Sequence, residues 1–270
     1  MNANREYYSG LAASTWDVWR DDTRNWADRN LYLELIKSYG EPVLILGCGT
    51  GRLWLDYREL GIDVDGIDIA PEMLEICRSK GARAGYTTED LDQRLKVQAV
   101  EDLNLPRKYR MIVAPSSLLQ ILTEPASVRL ALERFCAHLA PGGALVGSFY
   151  VPWRSGEPLE TAWSVRFEKT RPSDGALVRS KDREWFEPEA QAWHAEQEFE
   201  VVLDGKVIDK ALYRRSPEGL WYTQAQAQSL YAGAGFSDIR VLAGFSNEPA
   251  APDASPYCVL GLKPHSAEQR

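Results

Sequence analysis

Three glycines at alternate positions, Gly47, Gly49 and Gly51, break the apolar run Val43-Leu44-Ile45-Leu46, and Asp68 closes the next apolar run downstream. Four β-capable residues running into Gly-x-Gly-x-Gly read as a buried parallel strand that turns tightly into a helix. Glycine is required where the backbone turns sharply or where a ligand lies too close for a Cβ. The helix that follows offers free N–H groups and a positive end to a polar group above the turn. A nucleotide-like cofactor is the natural occupant. Asp68, at the tip of the next strand, is placed to accept hydrogen bonds from ribose hydroxyls by the geometry of dinucleotide folds.

The elements that must position these residues follow from periodicity. The first forty residues, with Tyr7, Tyr8, Trp16, Trp19 and Trp26 among alternating charges, read as one or two amphipathic helices. Strands over 43–46, 62–67, 95–100, 109–114 and 144–150 then alternate with helices over 51–60, 71–79 and 126–139. Such alternation predicts an α/β fold: an open, mostly parallel, seven-stranded Rossmann-like sheet with helices on both faces. Between Trp153 and Arg215 the pattern changes to period-two strands (163–167, 192–202 and 206–213) around the turn Asp204-Gly205, a strong hairpin signal. This antiparallel insertion leaves from the carboxyl edge of the sheet, where open α/β sheets bind ligands, and is expected to act as a lid or substrate platform. A helix over 223–232, capped by Thr223, and two strands over 238–242 and 257–262 complete the core. The domain boundaries are therefore expected as a helical segment over 1–40 covering the site, a cofactor-binding core over 41–150, the insertion over 151–222, completion of the core over 223–263, and a loose tail over 264–270.

Composition narrows the function. A formal charge of -8 and no basic stripe argue against a nucleic-acid partner. Arg52, Arg58, Arg78 and Arg83, interleaved with acids, read as solvated helix faces. No run approaches the roughly 18–20 apolar residues of a membrane helix, and the N-terminus lacks the character of a signal peptide. The four cysteines, Cys48, Cys77, Cys136 and Cys258, read as buried free thiols of a cytoplasmic protein, and with three histidines they offer no metal site. A monomer or homodimer is expected.

In order and spacing, the motifs resemble the class I S-adenosylmethionine-dependent methyltransferases over roughly residues 40–262. The resemblance rests on the glycine turn, Asp68-Ile69-Ala70-Pro71-Glu72-Met73, Gln98-Ala99-Val100-Glu101-Asp102-Leu103, Pro115-Ser116-Ser117, Leu139-Ala140-Pro141-Gly142-Gly143, and Ala234-Gly235-Phe236. A nicotinamide-binding Rossmann protein is the rival for the first motif; it keeps a small helix-packing residue where this chain has Trp54. The resemblance implies S-adenosylmethionine as cofactor. Gly47, Cys48, Gly49 and Gly51 would face its methionine part, Asp68 its ribose, and Ile69, Gln98, Ala99 and Val100 its adenine, with Leu103 also able to pack there. Pro115 and Ser116 would lie towards the transferring methyl. Three departures stand out: Ile45 and Gln98 or Ala99 where relatives carry acids, and Arg110 where the fourth strand often begins with aspartate.

The resemblance further implies methyl transfer to a nitrogen or oxygen nucleophile of a small metabolite. C-methylation or another cofactor-dependent small-molecule step is the alternative, and a non-catalytic cofactor-binding scaffold is a third reading. Transfer is mainly a positioning task, helped by a base when the nucleophile begins protonated. Tyr8 and His194 are the candidate catalytic contacts, His194 reading otherwise as an outward-facing strand histidine. Trp19, Ser117, Trp153, Trp193 and Tyr222 are the candidate acceptor-binding residues, the aromatics reading equally as core. Cys48 reads as a small buried filler, His138 as a helix-end residue and His265 as part of the tail.

Overall fold

The structure, a computed structural model, describes residues 6–20 and 25–265. Chain contacts divide it into two compact units, one of residues 25–151 with 221–265 and one of residues 6–20 with 152–220.

In the larger unit, β1 (Val43–Leu46) is buried along its whole length because it lies between two parallel neighbours, β2 (Val64–Asp68) and β4 (Tyr109–Ala114). Adding β3 (Leu95–Val97), β5 (Leu139–Phe149), β10 (Ser237–Ala243) and β11 (Tyr257–Leu262) gives a seven-stranded sheet in the order β10-β11-β5-β4-β1-β2-β3. β11 runs antiparallel to both of its neighbours, β5 and β10, and the other pairings are parallel. The order reverses at β1, whose neighbours are β2 on one side and β4 on the other. Open α/β sheets bind ligands in the crevice outside the strand ends at such a reversal.

Alternate residues of the strands feed two cores. Val43 and Ile45 pack with α2 (Ala27–Tyr39), α3 (Arg52–Glu59) and α4 (Pro71–Arg83) on one face. Leu44 and Leu46 pack with α6 (Pro125–His138) and α7 (Gln224–Gly233) on the other. A short helix that the sequence reading lacks, α5 (Thr88–Arg94), precedes β3; its N-cap Thr87 accepts from Asp90 N. β3 ends at Val97 and a 3₁₀ turn takes over at Val100–Asp102. β5 starts earlier than expected, running through Pro141-Gly142-Gly143 with a shifted register against β4.

Several polar groups expected in solvent are in use. Arg52 forms two hydrogen bonds to buried Asp28, Arg58 reaches Asp90, and Arg78 donates to Leu95 O. These three guanidiniums are half-buried, so for them the reading of solvated helix faces is corrected, whereas Arg83 is exposed as expected. At β2, buried Asp65 is satisfied by Arg94, Arg107 and the Tyr109 hydroxyl. Arg110 donates to Tyr39 O and Pro141 O, tying the end of α2 to β5. Cys136 is half-buried, a correction to the fully buried expectation, and none of the four cysteines is in a disulfide. Among the described residues no helix is long and apolar enough to cross a membrane.

Thr223 starts α7 with a reciprocal cap: its hydroxyl accepts from Gln226 N, and Gln226 Oε1 accepts from Thr223 N. Thr223→Ala is expected to lower stability by about 1 kcal/mol, read as a reduced urea midpoint with an unchanged slope.

The smaller unit is an antiparallel sheet in the order β6-β7-β8-β9: β6 (Ser164–Thr170), β7 (Leu177–Glu187), β8 (Ala192–Leu203) and β9 (Lys206–Leu220). Asp204 and Gly205 take the positive φ values that a tight hairpin turn needs. One face of this sheet carries Val178, Phe199 and Val201, covered by Tyr7 and by Leu11 and Ala12 of α1 (Gly10–Thr15). The other carries cross-strand ion pairs such as Arg179–Glu168 and Arg183–Glu196.

Candidate functional site

The turn after β1 is built on left-handed backbone. Gly47, Gly49 and Gly51 have φ of 60°, 56° and 89°, a region that side chains with a Cβ avoid. The three positions differ in their surroundings. A Cβ on Gly51 would lie 2.5 Å from the Cys77 sulfur, and one on Gly47 3.1 Å from Leu118, whereas one on Gly49 would meet nothing within 4 Å. Gly51 thus lets α3 pack on α4, while Gly49 leaves bare backbone against open space.

Asp68 closes this cradle. Its carboxylate is 7% exposed and accepts Gly49 N–H at 2.8 Å through one oxygen and Ala70 N–H at 2.9 Å through the other. Each oxygen keeps a further acceptor direction, and a ribose diol needs two such acceptors. Burial raises the Asp68 pKa, and the backbone donors from Ala70, Gly49 and Ile69 oppose that shift. The Asp68 bond to Ala70 also caps the entry to α4, so the cap and the exposed cradle coexist on one side chain.

The remaining positions lie at strand ends of the same unit. Ile69 is half-buried. Gln98 follows β3, its N–H bonded to Asp68 O, and its side-chain oxygen accepts Asn104 N–H at 3.2 Å. Ala99 is half-buried, and Val100 begins the 3₁₀ turn, while Leu103 is fully buried in the core and presents nothing to a ring. After β4, buried Pro115 leads to Ser116 and Ser117, two successive non-glycine residues at φ of 55° and 57°. Such strain, roughly 1–3 kcal/mol per residue, persists only where surroundings enforce it, and it gathers at functional sites. Here Ser148 Oγ accepts Ser117 N–H, and Gln120 bridges both backbone groups of Tyr150. Gln120 carried no recognisable signal in the sequence. Tyr222 is half-buried, its ring edge-on to Phe149 at 6.3 Å. Cys48 is buried with its thiol pKa raised by desolvation, which suits a filler and not a nucleophile. His138 holds Arg134 O through Nδ1 and Leu105 N–H through Nε2, a structural role.

The other candidates belong to the smaller unit. Tyr8 packs edge-on against Tyr7 at 4.8 Å and Trp16 at 5.4 Å, and Trp19 stacks on Phe167 at 5.6 Å. Burial raises the Tyr8 pKa. His194 stacks on Trp185 at 5.1 Å, with Nδ1 2.9 Å from Ser216 Oγ and Nε2 3.3 Å from Glu187. Its pKa is lowered by burial, against the pull of Glu187. Trp193 is almost wholly buried, and Trp153 donates to Glu157 O in its own loop. On β8, His194 and Gln197 point to opposite faces, and Gln197 bonds Tyr7. Tyr8 and His194 therefore do not face one acceptor together.

A parallel sheet reversing at β1, a terminal antiparallel pair and a glycine cradle closed by an acid define the class I nucleoside-cofactor methyltransferase fold. Residues 43–143 match the family model of a methyltransferase domain. The ubiquinone biosynthesis O-methyltransferase of Bordetella avium is 33% identical over 148 residues, which cover 52% of this chain and 58% of that protein. The chain spans about half the length of the curated relatives it matches. An S-adenosylmethionine-dependent methyltransferase from Clostridium acetobutylicum superposes with TM-score 0.74 at 15% identity, covering 94% of this chain and 98% of that one. The sugar N-methyltransferase KedS8 from Streptoalloteichus superposes with TM-score 0.70 at 15% identity, covering 95% and 94%. Residues 43–143 thus carry a methyltransferase domain, on the fold of the S-adenosylmethionine-dependent methyltransferases with which the chain superposes.

Proposed function

We propose that this chain transfers a methyl group from S-adenosylmethionine to a nitrogen or oxygen nucleophile of a small metabolite. The observation that carries the reading is the Gly49–Asp68 cradle at the sheet's reversal point, inside the segment that matches the methyltransferase model. The residues present fit the cofactor: open backbone at Gly49 and two acceptor oxygens on Asp68. When bound, the sulfonium supplies an electrophilic methyl group without metal help.

The chain's residues have the task of holding and orienting. Gly47, Cys48, Gly49 and Gly51 line the methionine side through backbone, and Asp68 holds the ribose. Ile69, Gln98, Ala99 and Val100 take the adenine, and Pro115, Ser116 and Ser117 bound the methyl end. Tyr222, in the same unit as the cradle, is assigned to the acceptor. The Bordetella relative is named for O-methylation and KedS8 for sugar N-methylation. Both names favour a small-molecule acceptor, although a relative 32% identical over 121 residues is named for ribosomal protein L11.

Incubating the protein with cell extract and methyl-labelled cofactor is expected to place label in a low-molecular-weight product, identified by mass spectrometry. Label confined to protein or RNA would reject the small-molecule reading. Tight cofactor binding with no labelled product from any extract would favour the scaffold.

A further inference from the structure

The turn after β4 is fastened more firmly than a connecting loop requires. Ser116 and Ser117 follow one another at φ of 55° and 57°, backbone that glycine adopts freely and that a Cβ disfavours. Two bonds close the turn: Leu118 N–H donates to Pro115 O at 3.2 Å, and Gln120 N–H to Ser117 O at 2.9 Å. Two buried side chains then tie it to the end of β5. Ser148, 3% exposed and one residue past the last β4–β5 pair, accepts Ser117 N–H at 3.0 Å. Gln120, fully buried, donates to Tyr150 O at 2.9 Å and accepts Tyr150 N–H at 2.8 Å.

The fastened turn lies against the glycine cradle, in the same unit. A Cβ on Gly47 would come within 3.1 Å of Leu118 Cδ1, so the residue after the serine pair packs on the turn after β1. β1 and β4 are parallel neighbours at the point where the strand order reverses. In this setting Ser116 is exposed and Ser117 half-buried. Folding alone would favour glycine or asparagine at both positions, since these enter left-handed backbone most readily. What serine adds is a hydroxyl that can both donate and accept a hydrogen bond. Strain that the surroundings enforce gathers at sites of function, and here Ser148 and Gln120 do the enforcing.

We propose that Ser148 and Gln120 are positioning residues for methyl transfer, holding the serine pair in left-handed backbone so that the Ser117 hydroxyl binds the attacking group of a polar acceptor. This deepens the methyl-transfer reading and rests on it. The acceptor class is one whose nucleophilic nitrogen or oxygen still carries a hydrogen. Ser117 Oγ accepts a hydrogen bond from that N–H or O–H, which fixes where the nucleophile's electron pair points. The serine stays neutral and takes no proton; its contribution is alignment. A turn free to relax to ordinary backbone would swing the hydroxyl away, which is why two buried side chains on a neighbouring strand end are needed to hold it.

The test uses the full chain, methyl-labelled S-adenosylmethionine and the small-molecule fraction of a cell extract, and follows label into low-molecular-weight product as the cofactor concentration varies. Ser117→Gly removes the hydroxyl and relieves the backbone. Its maximal rate is expected to fall by about tenfold or more, while the apparent KM for the cofactor and its Kd by calorimetry stay within about twofold of native. Its urea midpoint should be unchanged or raised. Ser148→Ala and Gln120→Met should each lower the maximal rate by about fivefold or more, again at native cofactor affinity. Action through Ser117 has its own mark: added to Ser117→Gly, neither substitution lowers the rate further, because what each holds in place is already gone. Additive losses overturn the proposal, as does a Ser117→Gly rate within about twofold of native. A lowered urea midpoint in Ser117→Gly overturns it too, since the serine backbone would then be unstrained. If Gln120→Met fails to fold, Gln120→Glu replaces it: losing one of the two bonds to Tyr150, it should show the same non-additive loss, and a native rate removes Gln120 from the role. Labelled product from the native chain with undiminished rates in the variants sinks the positioning role alone; cofactor binding with no labelled product sinks the methyl-transfer reading, and this inference with it.

Discussion

Asp68→Ala is expected to weaken S-adenosylmethionine binding by about 1–3 kcal/mol, roughly 5- to 150-fold in Kd, because a charged partner of the ribose hydroxyls is lost. Calorimetry on the native and variant chains measures this directly. The same substitution strips Gly49 N–H and Ala70 N–H of their acceptor, so part of the loss comes from a loosened cradle. Asp68→Asn separates the two effects. One amide oxygen can keep one backbone donor, while the NH₂ faces the other and cannot accept from a hydroxyl.

The pKa of Asp68 adds a signature in pH. Burial raises it, and the ionised form is the better acceptor for two hydroxyls. Cofactor affinity is therefore expected to fall as pH is lowered from neutral, beginning above the range in which an exposed aspartate titrates. Stability moves the opposite way at this group. A raised folded-state pKa disfavours the charged form, so the penalty applies above that pKa and disappears as the carboxyl takes its proton. Acidification thus weakens binding without unfolding through Asp68. In Asp68→Ala the affinity should be nearly flat over the same window; an equal slope in both proteins would remove Asp68 from its role.

How much of this was legible in the sequence depends on what each residue's neighbours are. β1 and the glycine turn were readable because a strand buried on both faces is a continuous apolar run and glycine at alternate positions has few other uses; β2 and β4 remain legible although each carries an internal charged residue, Asp65 and Arg110. β7 escaped notice. Its stretch Arg179-Ser180-Lys181-Asp182-Arg183-Glu184 shows no apolar alternation, since one face carries cross-strand charge pairs and the other sets Ser180, Asp182 and Glu184 in line with Val178. A strand whose partners are charges on other strands has no one-dimensional signature. The same reasoning covers Tyr8 and His194: the strand parity that separates them depends on a register that only pairing fixes.

Gly51→Ala is expected to cost about 2–5 kcal/mol of stability. The new Cβ would meet the Cys77 sulfur at 2.5 Å and Leu55 at 3.1 Å, and it would hold an L residue at φ 89°. Overpacking of a tight core costs typically 1–3 kcal/mol and left-handed backbone roughly 1–2. Neither side can relax easily, because Cys77 is fully buried in α4 and Gly51 is the N-cap of α3. Gly49→Ala isolates the other function of the turn. Its Cβ meets nothing within 4 Å, so only the backbone term of roughly 1–2 kcal/mol applies to folding. The added methyl nevertheless stands in the cradle beside Asp68, where the cofactor would lie. Urea unfolding should therefore rank Gly51→Ala as the more damaging change, while calorimetry ranks Gly49→Ala as the more damaging to binding once both are compared below their unfolding transitions. If Gly49→Ala bound the cofactor as tightly as the native chain, the bare backbone would not be the contact surface, and the cradle's glycines would serve folding alone.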